Sequence, residues 1–382
     1  MAKNLYFFFY FFLIIDKLLK LTENYFSKKL KIKSKDRAKN FIINRLNGIH
    51  GLGAIFPAMT NCTIALNLLN LKKEYQVSLN SVKNLITHKK NFSFCQPCFS
   101  PVWDTGLNGI SLLESGLSLK NLPIQKACKW LEKKQIIKKD GDWSINNENI
   151  LPGGWAFQYE NDYYPDVDDT AVVAMFLDRA GYNNKKNIKI ACDWIVGMQS
   201  NNGGWGAFDK NNTYHYLNNI PFADHGALLD PPTSDVSARC VSMLSQIDRI
   251  YYKKIIEKGV KFLKKEQEEN GSWFGRWGTN YIYGTWSVLH ALKAAGEDMN
   301  ADYIKKSISW LKNKQNKDGG WGEDCATYWE KNKNMDSIKS MPTQTSWAIL
   351  SLLITEKVND PAIENGIKFL KKNFNKKVLW KD

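Results

Sequence analysis

Gln199-Ser200-Asn201-Asn202-Gly203-Gly204-Trp205 decides the fold, because the pattern it carries recurs along the chain. Clear copies run from Gln267 to Gly271-Ser272-Trp273 and from Gln315 to Gly319-Gly320-Trp321. A looser copy runs from Gln135 to Gly141-Asp142-Trp143, and a decayed one ends at Trp380. The five copies lie roughly 50 to 70 residues apart, so one supersecondary unit is stacked on itself. In Lys258-Gly259-Val260-Lys261-Phe262-Leu263-Lys264-Lys265-Glu266-Gln267, apolar residues share one helical face and charged residues the other, which predicts an outer helix with a wet side. Asn270-Gly271 stops it. The stretch from Tyr281 to Ala295 is apolar nearly all round and reads as a helix buried on both sides. Alternating outer and inner helices predict an all-α fold of the α/α-toroid class. Glycine supplies the tight turn, and the indole is expected to cover the Gln amide as it bonds a neighbouring helix end. Taken alone, these motifs are structural.

The 382 residues allow more than one domain and a large core, and 13% aromatic content with 14 Trp gives that core unusual π surface. Seven cysteines at irregular spacing indicate a reducing compartment without a disulfide framework. Cys95-Gln96-Pro97-Cys98 has neither a second pair nor a nearby His, which argues against zinc, and no βαβ pattern supports a redox dithiol. The net charge of +15 comes mostly from lysines on outer helix faces, where solvation accounts for them, and nothing resembles a nucleic-acid module.

Leu5 to Ile15 (LYFFFYFFLII) is an unbroken apolar run followed by Lys17, Lys20, Lys28, Lys29, Lys31, Lys33 and Lys35. As a helix it would be about 16 Å long, against roughly 30 Å for a bilayer core, so it cannot span one. Asp16-Lys17-Leu18 offers no small-residue cleavage site for a signal peptide. A segment dipping into a lipid surface fits better: each buried aromatic contributes on the order of 2 kcal/mol, and each nearby lysine about 1 kcal/mol against anionic lipid.

The chemistry reads from Pro165-Asp166-Val167-Asp168-Asp169-Thr170-Ala171, opening the apolar stretch Val172 to Leu177. One Asp suffices for an N-cap; three carboxylates within four residues repel one another and lose solvation. Calcium fails, because the sixth loop position counted from Asp166 is Ala171 rather than Gly and the twelfth is Leu177 rather than Glu. Crowded carboxylates in an apolar setting cannot all ionise, so at least one should keep its proton and serve as a general acid. Aimed into an aromatic-walled, dry cavity, such an acid could protonate an alkene, with ring faces stabilising the cation.

These residues resemble the squalene-hopene cyclases, bacterial triterpene cyclases of the class II terpene cyclase type. The likeness runs through Cys98 to Thr105, Pro152 to Phe157, Met198 to Asp209, Asp230 to Ala238, Gly271 to Gly278, Tyr281 to Thr285 and Gly319 to Asp324, and extends from about Asp16 to about Leu370. It implies an intramolecular transferase or isomerase of hopanoid biosynthesis that acts on squalene without metal or organic cofactor. Asp168 matches the proton donor, Asp166 and Asp169 flank it, and Asp104 and Asp235 match the polar network behind it. Arg239 stands where some members carry a histidine that orients the acid. Trp103, Phe157, Phe222, Trp277 and Tyr283 match aromatic positions that bind the polyene or its cations, with Phe208 expected nearby. His225 replaces an aromatic of many members.

Family members are typically longer, with two helical barrels, one inserted into the other. On this reading residues 1–95 remain from the inserted, membrane-dipping barrel, and residues 96–382 form most of the acid-bearing barrel. Phe374 stands where the last repeat would have Gln, and Val378-Leu379 replace its glycines. The resemblance implies a monotopic or peripheral protein on the cytoplasmic face of a bacterial membrane. It allows a complementary cyclase fragment or a second copy as partner. A non-catalytic remnant or one subunit of a split cyclase is the alternative. A protein prenyltransferase β-like subunit shares the barrel but wants an Asp/Cys/His zinc site that the sequence lacks.

Overall fold

The computed structural model describes residues 2–138, 141–145, 147–182, 185–221, 228–332, 335–336, 338–375 and 379–380. Two compact units are present: Met1–Trp194 with Asn212–Asp230, and Ile195–Asn211 with Pro231–Asp382.

The first unit carries α1 (Ala2–Thr22), α2 (Lys28–Asn44), α3 (Phe56–Leu68), α4 (Lys72–Asn84), the antiparallel pair β1 (Ile86–His88) and β2 (Ser93–Cys95), then α5 (Pro101–Glu114) and α6 (Leu122–Lys134). A second short pair, β3 (Trp155–Ala156) and β4 (Pro165–Asp166), leads into α7 (Val167–Arg179) and α8 (Lys185–Met198), whose last turn passes into the second unit. α7 is buried along Val167 to Leu177 without a break, as its apolar sequence requires. It packs against α5, where a Cβ on Gly109 would lie 2.4 Å from the Phe176 ring, so only glycine permits this approach.

The second unit holds α9 (Ser234–Asp248), α10 (Lys253–Lys265), α11 (Tyr281–Ala295), α12 (Asp302–Asn313), α13 (Pro342–Leu352) and α14 (Pro361–Asn373). α9, α11 and α13 pack in succession and are buried on most sides. α10, α12 and α14 lie outside them, burying one face and leaving their lysines in water. The alternation read from Lys258 to Ala295 is therefore the packing observed.

The repeat is a staple with four parts. The Gln199 amide donates to the Gly203 carbonyl at 2.9 Å and to the Ile255 carbonyl in the first turn of α10 at 3.1 Å. Gln267 and Gln315 reach Tyr303 and Ala362 in the same way, each at 2.8 Å. The indole N–H of Trp205, Trp273 and Trp321 donates back to Ile195, Leu263 and Leu311 at 2.7, 2.7 and 2.8 Å. Their backbone N–H groups donate to hydroxyls at the start of the inner helices, Ser237, Thr285 and Thr345. Gly203, Gly271 and Gly319 have φ of +95°, +97° and +89°, which explains the glycine.

The looser copy is corrected by the structure. Gln135 donates to Gly153 and to Asn187 rather than to Gly141, and Trp155, not Trp143, returns its indole N–H to Leu131 at 2.7 Å. An insertion separates the two halves of the motif, and Gly141-Asp142-Trp143 sits within it. The decayed copy keeps one element, the Trp380 indole donating to Leu370 at 2.8 Å.

α1 continues beyond its apolar run to Thr22, and Lys20 pairs with Asp16 at 2.7 Å. Phe7, Phe11, Ile14, Leu18 and Leu21 form an exposed stripe along it, while Phe8 turns inward to Tyr216. Among the described residues no helix is long and apolar enough to cross a membrane.

Candidate active site

The acid motif stands at the junction of β4 and α7. β4 pairs Asp166 with Trp155, so the staple that holds Trp155 also holds the start of the motif. Asp166 is the N-cap: its Oδ1 accepts the backbone N–H of Asp168 at 2.8 Å and of Asp169 at 3.1 Å. Thr170 completes the repeat, because its hydroxyl accepts the Trp155 N–H at 2.9 Å and donates to the Asp166 carbonyl at 2.6 Å. Asp166, Asp168 and Asp169 are all buried.

Burial holds the Asp166 carboxyl well above its ordinary value, and repulsion from Asp168 adds to this. The two capping N–H groups oppose the rise without cancelling it. The protonated form is thus favoured by folding. The stability it contributes is complete below the ordinary carboxylate range and is lost as pH rises through the raised value. Thermal melts from about pH 4 to 8 should therefore show a loss of stability with rising pH that Asp166→Asn reduces, since asparagine still caps but cannot ionise. A wild-type profile no steeper than the mutant's would contradict this.

Trp103 and Asp104 lie in the first turn of α5. Trp103 is half-buried, and Asp104 is exposed and accepts the Ser100 hydroxyl at 2.9 Å. The N–H of Val102 donates to the Phe157 carbonyl at 3.4 Å, which brings Phe157 beside that turn. Phe222 and His225 lie outside the described residues.

In the second unit Asp235 is fully buried on α9. Its Oδ1 accepts the Thr233 hydroxyl at 2.6 Å, and its Oδ2 accepts the backbone N–H of Trp277 at 2.8 Å. The Trp277 ring, half exposed, meets Phe208 edge-on at 5.9 Å. Arg239 places its guanidinium 4.8 Å from the Trp286 ring centroid. Tyr283 is buried against Trp347 at 5.0 Å and Trp286 at 5.8 Å, and those two indoles stack at 5.9 Å. Trp286 and Trp347 thus form one aromatic cluster with Tyr283. Trp286 was available to sequence reading from its i+3 spacing to Tyr283, whereas Trp347 on α13 carries no local sign.

The description "Squalene-hopene cyclase C-terminal domain" matches residues 99–382, and "Squalene-hopene cyclase N-terminal domain" matches residues 3–91. The chain belongs to the squalene-hopene cyclase family. The squalene-hopene cyclase of Zymomonas mobilis is 45% identical over 387 residues, covering 97% of this chain and 59% of that protein. That of Bradyrhizobium diazoefficiens is 46% identical over 384 residues, covering 97% and 58%. The chain thus spans less than two thirds of the length of these relatives. The type II terpene cyclase MstE from Scytonema superposes with a TM-score of 0.52 at 16% identity, covering 73% of this chain and 72% of that one. This likeness shows the fold, the α/α-toroid class.

Proposed function

We propose that this chain carries the acid-initiated chemistry of a squalene-hopene cyclase. The observation that carries the reading is the buried triad of carboxyls at the start of α7, in which Asp166 is committed to the helix cap and is itself biased towards its protonated form. Two adjoining carboxyls that repel one another do not both ionise readily, so the motif retains a proton to give. Asp168 donates it. Its O–H bond breaks, a C–H bond forms at the terminal alkene of squalene, and the electron pair of that alkene leaves a tertiary cation. Successive alkenes attack that cation as the rings close. Loss of a proton from the last cation gives hopene, capture of water followed by loss of one of its protons gives the alcohol, and solvent reprotonates the acid. Trp103, Phe157, Phe208, Phe222, Trp277 and Tyr283 hold the polyene and its cations, each ring face contributing roughly 0.5 to 2 kcal/mol where water is excluded. Asp169, Asp104, Asp235 and Arg239 support the acid and its surroundings. The test is incubation with squalene in detergent, with and without co-expression of the part of the Zymomonas relative that this chain does not cover, followed by gas chromatography. Recovery of unreacted squalene alone from both would remove the reading.

The exposed stripe on α1, with the lysines of α2 after it, supports a lipid-surface partner, the protein lying on the membrane rather than spanning it. The protein should pellet with anionic vesicles and be released by detergent more completely than by about 1 M salt, because apolar burial outweighs screened charge. Complete release by salt would mean that charge alone holds it.

A further inference from the structure

α2 buries no residue of its own, yet its C-terminal end is firmly tied. Arg45, the C-cap, donates from Nη2 to Asp142 Oδ1 at 2.7 Å, and its side chain is only 15% exposed. Its guanidinium lies 3.6 Å from the Phe41 ring centroid and 4.7 Å from that of Tyr163. The other Asp142 oxygen accepts the Tyr164 hydroxyl at 3.0 Å, while the Tyr163 hydroxyl donates to the Asn44 carbonyl at 3.3 Å. Nearby, the Asn47 amide donates to the Glu160 carbonyl at 2.9 Å. All these ties converge on residues 160–164, which run directly into β4 and the carboxyl that caps α7.

We propose that Arg45 is a positioning residue for the acid motif, acting through Asp142 and Tyr164 to fix the chain immediately before Asp166. Two rings stacked on a planar guanidinium, with a carboxylate at its edge, define its place more narrowly than an ammonium would allow. Burial and the Asp142 bond both raise the Tyr164 hydroxyl above its ordinary value, so it remains a donor. Asp142, fixed by Arg45 on one oxygen, holds Tyr164 by the other. The inference rests on reading Asp166 to Asp169 as the acid motif, but its test needs no turnover.

The test is amide hydrogen exchange of the full chain, read at Asp168 and Asp169, whose N–H groups bond to Asp166. Arg45→Met should speed their exchange about tenfold or more, while peptides containing Trp273 and Trp321 keep the wild-type rate. Arg45→Lys should recover only part of the loss, and Asp142→Asn should add little in the Arg45→Met background, because both belong to one network. Where Arg45→Met fails to fold, Arg45→Lys and Tyr164→Phe carry the test. Faster exchange confined to residues 41–45 and 141–145, with Asp168 and Asp169 unchanged, would assign Arg45 to local structure and overturn the inference. That outcome would leave the cyclase assay standing, and an inactive protein with the expected exchange pattern would separate the two claims in the other direction.

Discussion

Asp168→Asn is expected to lower squalene cyclisation by several orders of magnitude while leaving the helical content intact. An amide has no proton of useful acidity, so on the proposed reading the protonation of an unactivated alkene loses its donor. The shape of the side chain is nearly unchanged, and the cap made by Asp166 does not involve the Asp168 carboxyl. Loss of activity with an unaltered circular dichroism spectrum therefore points to chemistry rather than to folding. The comparison is made at saturating squalene with products separated by gas chromatography. Cyclic product at the wild-type rate would transfer the proton to another group.

The largest effect on stability is expected at Trp273. Its indole is fully buried, donates to Leu263 at 2.7 Å, and has its backbone N–H on Thr285, so it joins α10 to α11. Trp273→Ala removes a ring from a packed core, at about 3 to 5 kcal/mol, and leaves the Leu263 carbonyl without its donor, at about 1 kcal/mol more. Urea unfolding followed by far- and near-ultraviolet circular dichroism should show the second unit losing about 4 kcal/mol. The half-exposed Trp277, changed to alanine in parallel, should shift the same transition by far less. A shift below about 1 kcal/mol at Trp273 would mean that the repeat tryptophans are not staples.

These expectations differ in how far they were open to sequence reading. The Gln and Trp of the three clear repeats were legible because Gln199, Gln267 and Gln315 bond a glycine four residues on, so half of the staple is local. The first copy was mispaired for the opposite reason. Gln135 finds its glycine eighteen residues away at Gly153, and Gly141-Asp142-Trp143 imitates the pattern within the insertion. The Trp155 indole on the Leu131 carbonyl and the Thr170 hydroxyl on the Trp155 N–H identify the true partner, and the second contact depends on β3 lying beside the start of α7. The acid cluster stood out in the sequence because three carboxylates exceed what a cap requires. The division of labour within it did not, since Asp166 as cap follows from the backbone geometry at Asp168 and Asp169. Asp235 could be selected from the sequence, but its bond to the Trp277 N–H joins residues 42 apart and arises only when α9 and α11 pack. Arg45 was not singled out: only Phe41 lies near it in sequence, Asp142 and Tyr163 are distant, and a lone arginine after a lysine-rich helix reads as solvated charge.

Solvent labelling tests the central claim most directly. Squalene incubated with the protein in deuterium oxide, together with the co-expressed part of the Zymomonas relative that this chain does not cover, should yield a pentacyclic product carrying one deuteron on the carbon of the former terminal alkene if, as proposed, the Asp168 carboxyl exchanges with solvent and gives that atom to substrate. The label should vanish together with the product in Asp168→Asn. Cyclic product free of deuterium, or labelled product at undiminished rate from Asp168→Asn, would contradict an acid-initiated cyclisation at this motif.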